Sequence, residues 1–145
     1  MKRFALLSAL FGGLLLRTPL AFGADTNSTL DTLFGAHAPY EKFLRELKAE
    51  VAAQDWSAIA DKVAYPLSVQ VSGHRMKVRS RDQFLAHVRS IITHKVCEAI
   101  EAQHYEALFA NANGVMVGNG ELWYSGVCSR ANYIDAPIKI TAVNP

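Results

Sequence analysis

Residues 108–124 read LFANANGVMVGNGELWY, and the reading of this stretch decides the fold. Val115, Met116, Val117, Leu122, Trp123 and Tyr124 are of strand-forming type and are punctuated by asparagine and glycine, the pattern of short antiparallel strands joined at tight turns. Asn113-Gly114 and Asn119-Gly120 suit type I′ turns, whose two central residues both take positive φ. The stretch therefore predicts the middle of a curved antiparallel sheet. Alternation within it puts Glu121, Trp123 and Ser125 on one strand face and Leu122 and Tyr124 on the other.

Downstream, residues 128–136 are polar and turn-rich, and residues 137–144 alternate as a closing strand. Upstream, a short helix is expected over residues 95–103, with Val96 and Ile100 inward. Ser80-Arg81-Asp82-Gln83 matches a capping box, in which serine and glutamine side chains answer each other's backbone donors. Phe84, Leu85, Val88, Ile91 and Ile92 follow at helical spacing as one helix. Before it, Leu67, Val69 and Val71, then Met76 and Val78, alternate with polar residues as a hairpin with one wet face.

Tyr40, Phe43, Leu44, Leu47 and Val51 form the apolar stripe of an amphipathic helix opened by Pro39. Glu41, Lys42, Arg45, Glu46, Lys48 and Glu50 take its other face. Asp55 can cap a second, shorter helix carrying Trp56, Ile59, Ala60 and Val63, and Tyr65-Pro66 ends it. Residues 24–38 read as a loose leader.

The 145 residues, half of them apolar, have the composition of one globular domain. Lys2 and Arg3, the uncharged run of residues 4–16, and small residues Ala21 and Gly23 predict a signal peptide over residues 1–23, cleaved after Gly23. Removing Lys2, Arg3 and Arg17 from the 15 basic residues leaves 12 against 13 acidic ones, a mature charge near 12 − 13 = −1. This balance gives no electrostatic reason for binding nucleic acid or an anionic membrane. Export to the periplasm or beyond lets Cys97 and Cys128 persist as a disulfide, worth on the order of 3 to 4 kcal/mol by chain entropy.

In its order of elements, in the Tyr65-Pro66 stop and in the capped helix at Ser80, the chain resembles the nuclear transport factor 2-like superfamily, which includes ketosteroid-isomerase-like proteins. Exported bacterial members are similar over residues 114–123 and 138–144. The resemblance covers residues 40–144. It implies an α+β fold, a cone-shaped barrel of curved antiparallel sheet wrapped around about three to four helices, forming one domain over residues 24–145. It also implies dimerisation through the open sheet face. Its members include isomerases, dehydratases, small-ligand binders and interaction modules, so the fold alone fixes no chemistry.

The isomerases carry an aspartate base in or just after the first strand, where this chain offers Ser68, Gln70 and Ser72. Asp61 and His87 are the available acid/base candidates, each with a structural alternative as a solvated helix residue or a packing histidine. Tyr65, His87, Glu121 and Trp123 are the ligand-binding candidates, provided the Trp123 face meets the helices. The structural alternative is that Trp123 is simply core and Glu121 lies at the sheet rim. His37, His74, His94 and His104 are scattered without HxH or HExxH spacing, and neither GxSxG nor a phosphate loop occurs, so no metal or cofactor is expected. Arg75, Lys77 and Arg79, followed by Arg81, form a basic stripe suited to an acidic protein partner, or to ordinary solvation. Three classes follow: a small-ligand-binding or accessory protein, an inhibitor or immunity protein against a periplasmic toxin, and an isomerase or dehydratase.

Overall fold

A computed structural model describes residues 26–127 and 136–145. The signal peptide expected over residues 1–23 and the Cys128 partner proposed for Cys97 lie outside the described residues. Cys97 itself is half-buried.

Six helices and six strands make an α+β architecture among the described residues. The helix expected from the Tyr40 stripe is α2 (Ala38–Ala52), with Tyr40, Phe43, Leu44, Leu47 and Val51 all buried. Asp55 caps α3 (Trp56–Asp61) by accepting from the Ala58 amide at 3.0 Å. The segment expected to be loose instead contains α1 (Thr26–Phe34), in which Leu30 is fully buried. Polar bonds anchor this helix downstream: Thr26 Oγ1 donates to the Glu106 carbonyl at 3.0 Å, and the Tyr105 hydroxyl donates to Asn27 Oδ1 at 2.6 Å. One buried leucine and two tethers suffice where the sequence shows little periodicity.

The single helix expected after Ser80 is two pieces, α4 (Arg81–Ala86) and α5 (Val88–Ile91), broken at His87, whose φ of −115° and ψ of 12° leave the helical region. The kink still buries Phe84, Ile91 and Ile92. Ser80 Oγ accepts from the Gln83 amide at 3.3 Å, but Gln83 Oε1 reaches back to the Arg79 amide at 2.8 Å rather than to Ser80. The short helix is α6 (His94–Ala102), burying Val96 and Ile100 as expected. A 3-10 turn (Tyr105–Ala107) leads into the sheet.

β1 (Leu67–Val71) and β2 (His74–Val78) form a separate two-stranded hairpin. β3 (Phe109–Asn111), β4 (Gly114–Val117), β5 (Leu122–Gly126) and β6 (Ile138–Val143) form an antiparallel meander in that order. Type I′ geometry falls on Ser72 (φ 50°) and Gly73 (φ 80°), between the paired Val71 and His74, and not on the asparagine–glycine pairs. At the β3–β4 turn Asn111 pairs with Gly114, so Ala112 and Asn113 are central, and neither has positive φ. Asn111 Oδ1 closes this turn by accepting from the Asn113 amide at 2.8 Å. Gly114 instead opens β4 at φ 134°, where a Cβ would lie 2.7 Å from the Tyr124 carbonyl oxygen of β5. The Asn119-Gly120 pair sits within the four-residue connection that separates Val117 from its partner Leu122.

The inner face of the meander presents Val115, Val117, Leu122, Tyr124, Ile140 and Val143, all buried. Tyr124 is fully buried and stacks on Phe43 at 4.7 Å, so tyrosine rather than tryptophan fills the space beneath the helices. Trp123 faces outward in a cross-strand row of Phe109, Met116, Trp123 and Ala142. The Trp123 face therefore does not meet the helices, and Trp123 is half-buried rather than core. A register shift between Trp123 and Tyr124 inserts Thr141 into β6 and lets the two rows coexist.

The end of α3 is stitched to β6. Ile140 donates to the Lys62 carbonyl at 2.7 Å, and the Ala64 amide donates to Ile140 at 2.9 Å, in a parallel bridge at Val63. This fixes Lys62 against α2.

Candidate functional site

A cleft of about 750 Å³ lies between α2, α3 and the adjoining ends of β5 and β6. Phe34, Tyr40 and Phe43 supply aromatic wall, with Phe34 and Tyr40 stacked at 4.7 Å. Glu46, Glu50 and Lys62 line the same cleft and form one cluster. The helical repeat sets Glu46 and Glu50 one turn apart on α2, and the C-cap position of α3 brings Lys62 between them. Lys62 Nζ is 3.0 Å from Glu46 Oε2 and 3.2 Å from Glu50 Oε1, and lies 5.5 Å from the Phe43 ring centre. Lys42 adds a weaker contact to Glu46 at 3.7 Å.

Environment separates the two carboxylates. The hydrogen bond from Lys62 holds Glu46 below the usual carboxylate range despite some desolvation. Burial pushes Glu50 above it, outweighing the pull of Lys62. Burial also works to lower the Lys62 value, but hydrogen bonds and charge from both glutamates outweigh it and keep the ammonium protonated. Glu50 Oε2 is buried without a hydrogen-bond partner among the described residues. The cleft wall thus combines aromatic surface with a fixed ammonium and two carboxylates, one oxygen of Glu50 being enclosed by the protein.

The residues singled out from sequence are dispersed. Asp61 borders the cleft but is exposed, and its carboxylate is taken by Arg81 Nε at 2.6 Å, with Arg81 also donating to Ser57. His87 is exposed at the α4–α5 break. No hydrogen bond or ion pair joins it to Asp61. Tyr65 donates to the Ala60 carbonyl at 2.9 Å and meets Phe84 edge-on, and burial pushes its phenol up to about 12. Ser68 and Gln70 point outward from β1.

Glu121 lies in the β4–β5 turn. Its Oε2 accepts from the Asn119 amide at 2.6 Å, and its Oε1 is 3.5 Å from Lys95. Burial disfavours the ionised form, but the Asn119 amide and Lys95 prevail and hold the carboxyl low. Next to it Gly118 donates to Gln103 Oε1 at 2.8 Å, and Asn144 donates to the Glu121 and Gly120 carbonyls. This constellation closes the turn onto α6 and the end of β6.

Sequence pattern places Glu46 and Glu50 on the solvent face of α2, which conceals the Glu46–Lys62–Glu50 cluster. Their spacing carried a signal: Glu46 is three residues after Phe43, and Glu50 three after Leu47, which places both at the margin of the apolar stripe. Among the described residues no group of three histidine, cysteine or acidic side chains could hold a metal ion. No helix among them is long and apolar enough to cross a membrane. No protein-family model, curated protein or solved structure matches the chain.

Proposed function

We propose that this chain is an exported small-ligand-binding protein with a nuclear transport factor 2-like fold. The cleft between α2 and α3 takes an aromatic or apolar molecule bearing an amine or hydroxyl donor. The observation that carries this reading is Glu50, whose second oxygen lacks a donor beside a wall of Phe34, Tyr40 and Phe43. A turn of the Glu50 side chain that uncovers this oxygen would let a ligand amine or hydroxyl answer it while the ligand's apolar body covered the rings, the usual division of labour in a small-molecule site.

The cone-shaped barrel is supported by the helix–helix–hairpin–helix–meander order and by the stitching of α3 to β6. In that arrangement the outer row of Phe109, Met116, Trp123 and Ala142 is the surface a homodimer would share. A sedimentation mass of one chain at micromolar concentration would remove the dimer. Export is tested separately by N-terminal sequencing, which should begin at Ala24.

Native mass spectrometry of protein purified gently from its own host tests the binding role. A co-purifying small molecule, lost in Glu50→Ala and Lys62→Met variants that remain folded, is the expected result. Empty protein that shows no thermal stabilisation by a panel of aromatic amines and alcohols would overturn it.

A further inference from the structure

A different surface, independent of the cleft, is the edge of the β1–β2 hairpin. Among the described residues β2 is paired with β1 alone. The two-residue turn at Ser72-Gly73 makes Val71 and His74 a hydrogen-bonded pair, and antiparallel ladders alternate. Val69 with Met76 and Leu67 with Val78 are therefore the other hydrogen-bonded pairs. Arg75 and Lys77 fall on the non-bonded positions, so their backbone N–H and C=O groups point away from β1 along the open edge. The edge ends at Arg79, whose amide is already taken by Gln83 Oε1 at 2.8 Å.

The side chains at this edge are also uncommitted. Arg75, Lys77 and Arg79 are exposed, and among the described residues none has an ion-pair partner. Across the ladder Arg75 faces Gln70 and Lys77 faces Ser68, both neutral. Cationic residues on an edge strand oppose pairing with a like-charged strand. A second copy of β2 would set Arg75 and Lys77 against the same charges and is disfavoured. An acidic strand meets the reverse condition: its backbone completes the ladder while its alternating carboxylates lie beside the cations.

We infer that the β2 edge is a binding site for an extended acidic segment of another protein, which adds as a strand beside Arg75 and Lys77. The free backbone groups provide the docking register, and the three cations select the charge of the partner. This assigns the hairpin a recognition role that does not depend on occupancy of the cleft.

Amide hydrogen exchange of the intact protein, read by NMR with synthetic peptides, tests the inference directly. Without peptide, the Arg75 and Lys77 amides should exchange rapidly, while Met76 and Val78 are protected by β1. An alternating glutamate–valine peptide should slow exchange at Arg75 and Lys77 by about tenfold or more, whereas a lysine–valine peptide should not. Raising the ionic strength should weaken the binding by about tenfold. A double variant, Arg75→Glu with Lys77→Glu, should reverse the preference; an unchanged denaturation midpoint would show that its fold is kept. Protection of Arg75 and Lys77 already present in the free protein would overturn the inference. So would failure of the acidic peptide to bind, or its binding without a change in exchange at those two amides.

Discussion

The Lys62 ammonium lies 3.2 Å from Glu50 Oε1, while the other oxygen of the same carboxylate is buried without a partner among the described residues. One cation is therefore shared between two glutamates, and Glu46 receives the shorter contact. A charge that is half-answered in a desolvated place is an unfavourable element of the free protein, and one that a bound donor would relieve.

Glu50→Gln removes that charge and retains an oxygen that can accept from Lys62. The sign follows from the raised Glu50 value. The folded state binds the proton more tightly than the unfolded chain, so stability from this group declines as pH rises from about 4.5 through the folded value. At neutral pH the variant should be at least as stable as the parent, and below pH about 4, where both states carry the proton, the difference should vanish. Urea midpoints across pH measure this. A neutral-pH loss above about 1 kcal/mol would mean that the charge on Glu50 contributes more than its desolvation costs.

Lys62→Met has the opposite effect, leaving Glu46 and Glu50 one turn apart with only the weaker contact of Lys42 to Glu46 at 3.7 Å. The expected cost is about 1 to 3 kcal/mol at neutral pH, below the range for a fully buried pair because solvent reaches part of the cluster. Acidification should shrink the deficit as the carboxylates take protons. Denaturation at two pH values checks both parts, and a pH-independent loss would point to lost packing of the lysine stem on Phe43 instead.

The fold was legible where one local signal had no competitor. The Tyr40 stripe, the Asp55 cap and the alternation of residues 67–78 each corresponded to an element of the expected type. Asn113-Gly114 misled because the asparagine before it, Asn111, closes the turn with its side chain and leaves the glycine to the close approach of Tyr124. Alternation divided Trp123 from Tyr124, but cannot say which face meets the helices. The candidate cluster was illegible for a related reason. Lys62 is held beside α2 where α3 packs on it and β6 binds the end of α3, a contact between residues 62 and 140 that no local pattern records.

Glu121 should behave as a structural carboxylate that is sensitive to acid. Its folded value lies below the ordinary 4.5, so its contribution is present above that pH and is lost as pH falls through the folded value. Glu121→Ala removes the acceptor for the Asn119 amide and should cost about 1 to 3 kcal/mol, with Glu121→Gln costing less because an oxygen remains. The deficit of the glutamine variant should fade below pH about 4. Equal deficits at acidic and neutral pH would show that Lys95 and the turn amide do not favour the ionised form.

Gly114 and Gly73 offer a controlled comparison, since both have positive φ but meet different surroundings. A Cβ at Gly73 meets nothing within 4 Å, so Gly73→Ala should cost only its backbone conformation, about 1 kcal/mol. At Gly114 the added carbon would approach the Tyr124 carbonyl oxygen to 2.7 Å and the Ser125 Cβ to 3.0 Å. Backbone on the central strand β5 cannot turn aside as a side chain would. Gly114→Ala should therefore cost about 2 to 4 kcal/mol, combining the conformational strain with displacement of β4 from β5. Chemical denaturation of the two variants, with exchange of the β4 and β5 amides followed in parallel, separates the contributions. Faster exchange confined to those strands in Gly114→Ala is expected. Equal costs at the two sites would mean that β4 accommodates the methyl group and that the close approach of the strands does not limit stability.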